Sequence, residues 1–135
     1  MAAKPARPAP QNAATSTAAR TGWRRAAAAT QDAFWRERHR LARRWAEQAA
    51  VGEWLIARAY AVAGRGAEAV RHATLALGIA ESTPGLSDWL MPSVLEGMTR
   101  AEMAANGPDA ARPWHARAVA ALDQIADPED RALIE

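Results

Sequence analysis

Across residues 54–80, small and large apolar side chains recur at helical spacing on either side of a turn marked by Gly64 and Gly66. Helices joined by so short a link can meet along their length only where the seam carries little bulk, and Ala57, Ala69, Ala73 and Ala76 supply that. The stretch therefore constrains the chain to closely packed helices. Half of all residues are hydrophobic, and many of these are alanine, which favours helix strongly but has little surface to bury. β-Branched residues are scarce, and no stretch alternates at period two over the length of a strand. The expected fold class is all-α.

Charge is spread unevenly. The 17 basic and 15 acidic side chains give a net charge of +2. Residues 1–50 hold ten of the basic and three of the acidic groups, whereas residues 51–135 hold seven and twelve. A surface that attracts anions therefore belongs to the first third of the chain. The sequence pI of about 9.9 does not mark a strongly basic protein, because one lysine, one tyrosine and no cysteine leave few groups to lose charge on the alkaline side. Without cysteine there is no disulfide, thiolate metal ligand or cysteine nucleophile. No apolar run approaches the roughly 18 residues needed to span a bilayer. The longest one near the N-terminus, 26–29, is too short for a secretory core, and a cytoplasmic location is expected.

Residues 1–29 contain Pro5, Pro8 and Pro10 and no acidic side chain. Organellar transit peptides share this composition, but it reads more simply as a disordered tail that can bury too little to fold. Thr30 is placed to cap an amphipathic helix over about 31–49, with Phe34, Leu41, Trp45 and Ala49 on one face. A second helix is expected over about 52–63, with Leu55, Ala59 and Val62 on one face. Gly64 and Gly66 end it, since glycine enters the left-handed region without steric cost. A third helix, about 67–81, buries Ala69, Val70, Ala73, Leu77 and Ala80. After a loop at 82–87, Ser87 or Asp88 can cap a fourth helix carrying Met91, Val94, Leu95, Met98 and Ala101. Pro92 predicts either a kink in it or a start near that residue. Asn106-Gly107-Pro108-Asp109 forms a turn in which Asp109 caps a fifth helix, about 110–126. Asp127-Pro128-Glu129-Asp130 opens a sixth, so the chain stops at Glu135 as a fragment would.

Ile56, Ala57, Tyr60, Gly64, Ala69, Ala73 and Ala76 follow the order of large, small, aromatic, turn and seam positions in a tetratricopeptide repeat, and the chain resembles that family here. It departs from the pattern at the first position, where Glu53 or Trp54 stands for the usual tryptophan, and no proline closes the second helix. A looser copy lies 43 residues further on: Gly107 answers Gly64, His115 answers His72, Met103 stands for Tyr60 and Thr99 for Ile56. From Gly52 onward, segments such as GEWLIARAYAVAGR and IADPEDRALIE also resemble a group of short bacterial helical-repeat proteins. The resemblance implies antiparallel α-hairpin repeats at about 52–82 and 87–126, a superhelix fragment within a helical domain 30–135. It implies no particular activity.

Several residues invite a chemical reading. Arg36, Arg40, Arg43 and Arg44 share a helical face, with Trp23, Trp35 and Trp45 interleaved, and such a face can meet the phosphates of nucleic acid or lipid. A solvated helix face is the simpler account, because Glu37 and Glu47 dilute the charge and no nucleic-acid-binding signature accompanies it. His39, His72 and His115 lack the spacing of a metal site; Glu68 and His72 at i, i+4 read as a helix-surface pair, as do Glu96 and Arg100. An enzyme would need an unexpected pocket gathering Glu68, Arg71 and His72. No serine sits in a nucleophile elbow and no glycines form a phosphate loop, so neither catalysis nor a cofactor is expected.

In tetratricopeptide proteins the first helix of each pair lines a concave surface. The resemblance places Trp54, Leu55, Arg58 and Val62 there from one repeat, and Val94, Met98, Ala101 and Ala105 from the other. Such a surface is too apolar to stay wet, and with Arg58 as its sole cation it does not fit a carboxylate clamp. The expected function is non-enzymatic association with an apolar peptide, an amphipathic helix or a second copy of the chain. Trp54, Leu55, Arg58, Val62, Val94 and Met98 are the expected contact residues. The alternative is nucleic-acid or anionic-surface binding through the Arg-rich first helix.

Overall fold

A computed structural model describes residues 2–6, 13–125 and 128–132. All regular structure among them is helical, and no strand occurs. The helices are α1 (Ala13–Val62), α2 (Gly66–Ser82), α3 (Leu90–Asn106), α4 (Pro108–Leu122) and α5 (Pro128–Ala132). The chain divides into two compact units, Met1–His39 and Arg40–Glu135, and α1 contributes residues to both. No helix among the described residues is long and apolar enough to cross a membrane.

The first unit differs from the expected disordered tail. Residues 2–6 lack regular structure, but the chain is helical from Ala13 onward rather than from residue 31. Local chemistry explains the difference, since the prolines of this region end at Pro10 and the following stretch is rich in alanine. Thr30 does not start a helix. Its hydroxyl donates to the Ala26 carbonyl one turn back at 3.0 Å, as the Thr21 hydroxyl does to the Thr17 carbonyl at 2.9 Å. Every side chain from residue 16 to 39 is exposed.

In the second unit α1 continues through Gly52, where a break between two helices is expected from sequence. A single interior glycine costs a helix only about 1 kcal/mol relative to alanine, which the burial of neighbouring Ala50 and Ala57 offsets. The core is largely alanine: Ala50, Ala57, Ala69, Ala73, Ala76, Ala80 and Ala101, joined by Leu77, Leu90, Val94, Leu95 and Met98. Leu90 and Val94 are its largest fully enclosed side chains. α2 packs on α3, and α3 on α4.

Two glycines allow close approach, each against a different neighbour. A Cβ on Gly66 would sit 2.4 Å from the Ala105 Cα of α3, and one on Gly97 would sit 2.5 Å from the Trp54 indole. The turn before α2 rests on Gly64 alone, at φ 73°; Gly66 instead opens α2 as a buried packing position.

Helix starts agree with expectation at one point and differ at others: α3 begins at Leu90, close to Pro92 as the sequence predicts. Pro92 lies in the first turn of α3, where backbone N–H groups have no partner within the helix, so it needs no break. Ser87 does not cap that helix; its hydroxyl donates to Glu47 at 2.6 Å and its backbone N–H to the same carboxylate at 3.3 Å. Gly107 at φ 88° takes the N-cap of α4, which starts at Pro108. Asp109 falls inside the first turn, 3.1 Å from Arg112. The last helix begins at Pro128, as α5; Asp127, its expected cap, lies outside the described residues.

Candidate functional site

The second unit carries an apolar groove of about 430 Å³, lined by Arg58, Ala61 and Val62 of α1 and by Thr99, Arg100, Met103 and Ala104 of α3. α1 reaches it because Trp54, one turn before Arg58, seats its indole against the bare backbone of Gly97. The Arg58 guanidinium lies 5.4 Å from the centroid of the Trp54 ring, which holds the cation at the groove wall. Arg100 is tied to Glu96 one turn earlier. Val62 is 89% exposed and Met103 50%, so apolar surface faces solvent here.

The expected contact residues separate into two groups. Arg58 and Val62 line the groove; Leu55, 53% exposed, lies on the same helix, and Trp54 is half-buried beneath Arg58. Val94 and Met98, expected on the same surface, lie in the core at 0% and 3% exposure. The reason is angular. On α3 the stripe 94, 98, 101 faces inward, and the groove is lined by Thr99, Arg100, Met103 and Ala104, whose mean direction lies about 150° round the helix from that stripe. Sequence reading places Thr99, Arg100 and Met103 elsewhere. A signal lay in Arg100 itself, a charge that cannot sit on a buried face.

The arginines expected to bind anions also separate. Arg36 belongs to the first unit and Arg40, Arg43 and Arg44 to the second. The latter three line a shallow depression with Glu47, Gln48 and Gly85, and Glu47 brings a carboxylate to it.

His72 has a partner that sequence did not indicate. Its Nδ1 lies 2.5 Å from Glu53 of α1, and its ring stacks on Tyr60 at 5.4 Å between centroids. Glu68 turns instead to Arg65, 2.5 Å away; that hydrogen bond is the main cause holding the Glu68 carboxyl below its ordinary value. Arg65 in turn lies over Tyr60. Glu68 and His72 therefore turn to different partners, Arg65 and Glu53. His115, expected to match His72, is exposed. Among the described residues no three acidic or imidazole side chains come together in a way that could hold a metal ion.

Comparison with family models, with curated protein sequences and with solved structures returned no match.

Proposed function

We propose that the second unit is a non-enzymatic protein-interaction module built from two tetratricopeptide-like α-hairpins, one from the end of α1 with α2, the other from α3 with α4. The buried alanines Ala57, Ala69, Ala73 and Ala76 and the glycine turns at Gly64 and Gly107 support the repeat reading. The observation that carries the function is the groove between α1 and α3, in which exposed Val62 and Met103 lie beside Arg58 and Arg100. Its chemistry suits an apolar side chain next to a carboxylate, presented by an amphipathic helix, an extended segment or a second copy of the chain.

Size exclusion coupled to light scattering tests the self-associating form: wild type runs as a dimer and Val62→Asp as a monomer of unchanged helicity. For a heterologous partner, the absence of native cysteine makes Val62→Cys a unique attachment point for a photo-crosslinker. A wild-type monomer that also crosslinks to nothing from its native source through Val62→Cys would end the proposal. Phosphate binding through Arg36, Arg40, Arg43 and Arg44 has weaker support, because Glu47 shares the depression of three of them and Arg36 belongs to the other unit.

A further inference from the structure

The first unit presents a helical face that nothing within it covers. Trp23, Ala27, Thr30 and Phe34 follow one another at spacings of four, three and four, which puts them on one stripe of α1, and with Ala26 and Gln31 they line a shallow apolar groove. Trp23 is 78% exposed and Phe34 61%. Beside the stripe, Trp35 meets Phe34 edge-on at 5.8 Å and carries the Arg38 guanidinium 5.3 Å from its ring centroid. A stretch of bare helix with such bulk in water gains little from propensity alone and is stabilised by whatever removes those rings from solvent.

Charge identifies the occupant. From residue 1 to 31 the sequence holds Lys4, Arg7, Arg20, Arg24 and Arg25 and no acidic side chain; Asp32 and Glu37 are offset by Arg36 and Arg38. A second copy of the same helix would bring this excess of positive charge against itself. Single-stranded nucleic acid is held in a positively charged groove with stacking rings, whereas the groove between Trp23 and Phe34 is lined by Ala26, Ala27, Thr30 and Gln31 and holds no cation among the described residues. An anionic bilayer surface satisfies both halves of the pattern: the indole and phenyl rings enter the headgroup boundary, while Arg20 and Arg24 on one flank of the stripe reach lipid phosphates through their long apolar stems. α1 does not qualify as a membrane span, so the helix would lie along the surface.

We infer that the first unit is a peripheral membrane-binding helix, docking on anionic lipid through Trp23 and Phe34, with Arg20 and Arg24 beside the stripe supplying the electrostatic attraction. The inference is independent of the groove in the second unit. Vesicle co-sedimentation of the full chain tests it, comparing phosphatidylcholine alone with phosphatidylcholine mixed with phosphatidylglycerol, at low and high salt. The expected result is binding to the mixed vesicles that weakens with salt and is at least ~tenfold stronger than to the neutral ones. Trp23→Ala with Phe34→Ala should reduce it by about tenfold or more while circular dichroism stays helical, since both rings are exposed. His115→Ala, at an exposed site of the second unit, should leave it unchanged. Absence of binding, equal binding to neutral vesicles, or binding unaffected by the double variant would overturn the inference. So would a dimer in light scattering, or an oligonucleotide gel shift, that the double variant abolishes.

Discussion

Nδ1 of His72 on α2 lies 2.5 Å from a carboxylate oxygen of Glu53 on α1, and the imidazole is also stacked on Tyr60. The contact links residues 19 positions apart and is partly buried, so it fixes how the end of α1 meets α2. His72→Ala should destabilise the protein by about 1–2 kcal/mol, because it leaves a half-buried carboxylate and one face of Tyr60 without a partner. Chemical denaturation checks this, with His115→Ala, at an exposed site, expected to be near neutral.

Glycine substitutions on α2 should act in opposite directions. Gly66→Ala forces a methyl group into the α3 backbone at Ala105 and should cost about 1–3 kcal/mol or more. Gly78→Ala meets nothing within 4 Å on the same helix and should stabilise by about 0.5–1 kcal/mol through helix propensity. Thermal melts of the two variants decide the matter, and equal shifts would contradict the close approach.

The indole of Trp54 acts through shape. Its Nε1 is buried and has no hydrogen-bond partner among the described residues. Trp54→Phe should therefore cost less than about 1.5 kcal/mol. Trp54→Ala should cost about 2 kcal/mol or more and loosen the seat against Gly97. Near-ultraviolet dichroism with denaturation separates these outcomes.

Leu55→Asp and Val94→Asp distinguish surface from core among the residues that sequence groups together. Leu55 is 53% exposed and Val94 is 0% exposed. The first variant should stay folded within about 0.5 kcal/mol and lose any association through this side of α1, whereas the second should unfold. Helicity and light scattering on both report the difference.

Glu68 gives a small pH dependence with a definite sign. Its carboxyl is held below its ordinary value, chiefly by the hydrogen bond from Arg65, so its contribution is present above the ordinary carboxylate value and is lost as pH falls through the lowered one. Both side chains are open to solvent, which keeps the effect slight. Wild type should melt marginally above Glu68→Gln at neutral pH, and the difference should vanish in acid.

Burial of Ala57, Ala69, Ala73 and Ala76 is legible in the sequence because small residues at helical spacing have few uses other than a close seam. The turn at Gly64 is legible for a similar reason, since its φ of 73° is where glycine is least strained. The continuity of α1 is not. Thr30 and Gly52 look like boundaries, yet each is tolerated inside a helix at a cost that alanine-rich neighbours outweigh. The groove is half legible: Arg58 and Val62 follow from the face of α1, but on α3 apolar residues lie on two well-separated faces. Which one turns inward is decided by packing against α2 and α4, not by periodicity. The pairing of His72 with Glu53 leaves no local sign either, since the partners lie on different helices.

An interior made mostly of single methyl groups has little room for exchange. Where larger side chains fill a core, one position can shrink while its neighbour grows. Ala69, Ala73, Ala76 and Ala101 can scarcely shrink, and growth at any of them presses on a buried neighbour with little room to move. The substitutions that this packing tolerates best therefore lie on the exposed length of α1 and on the groove walls.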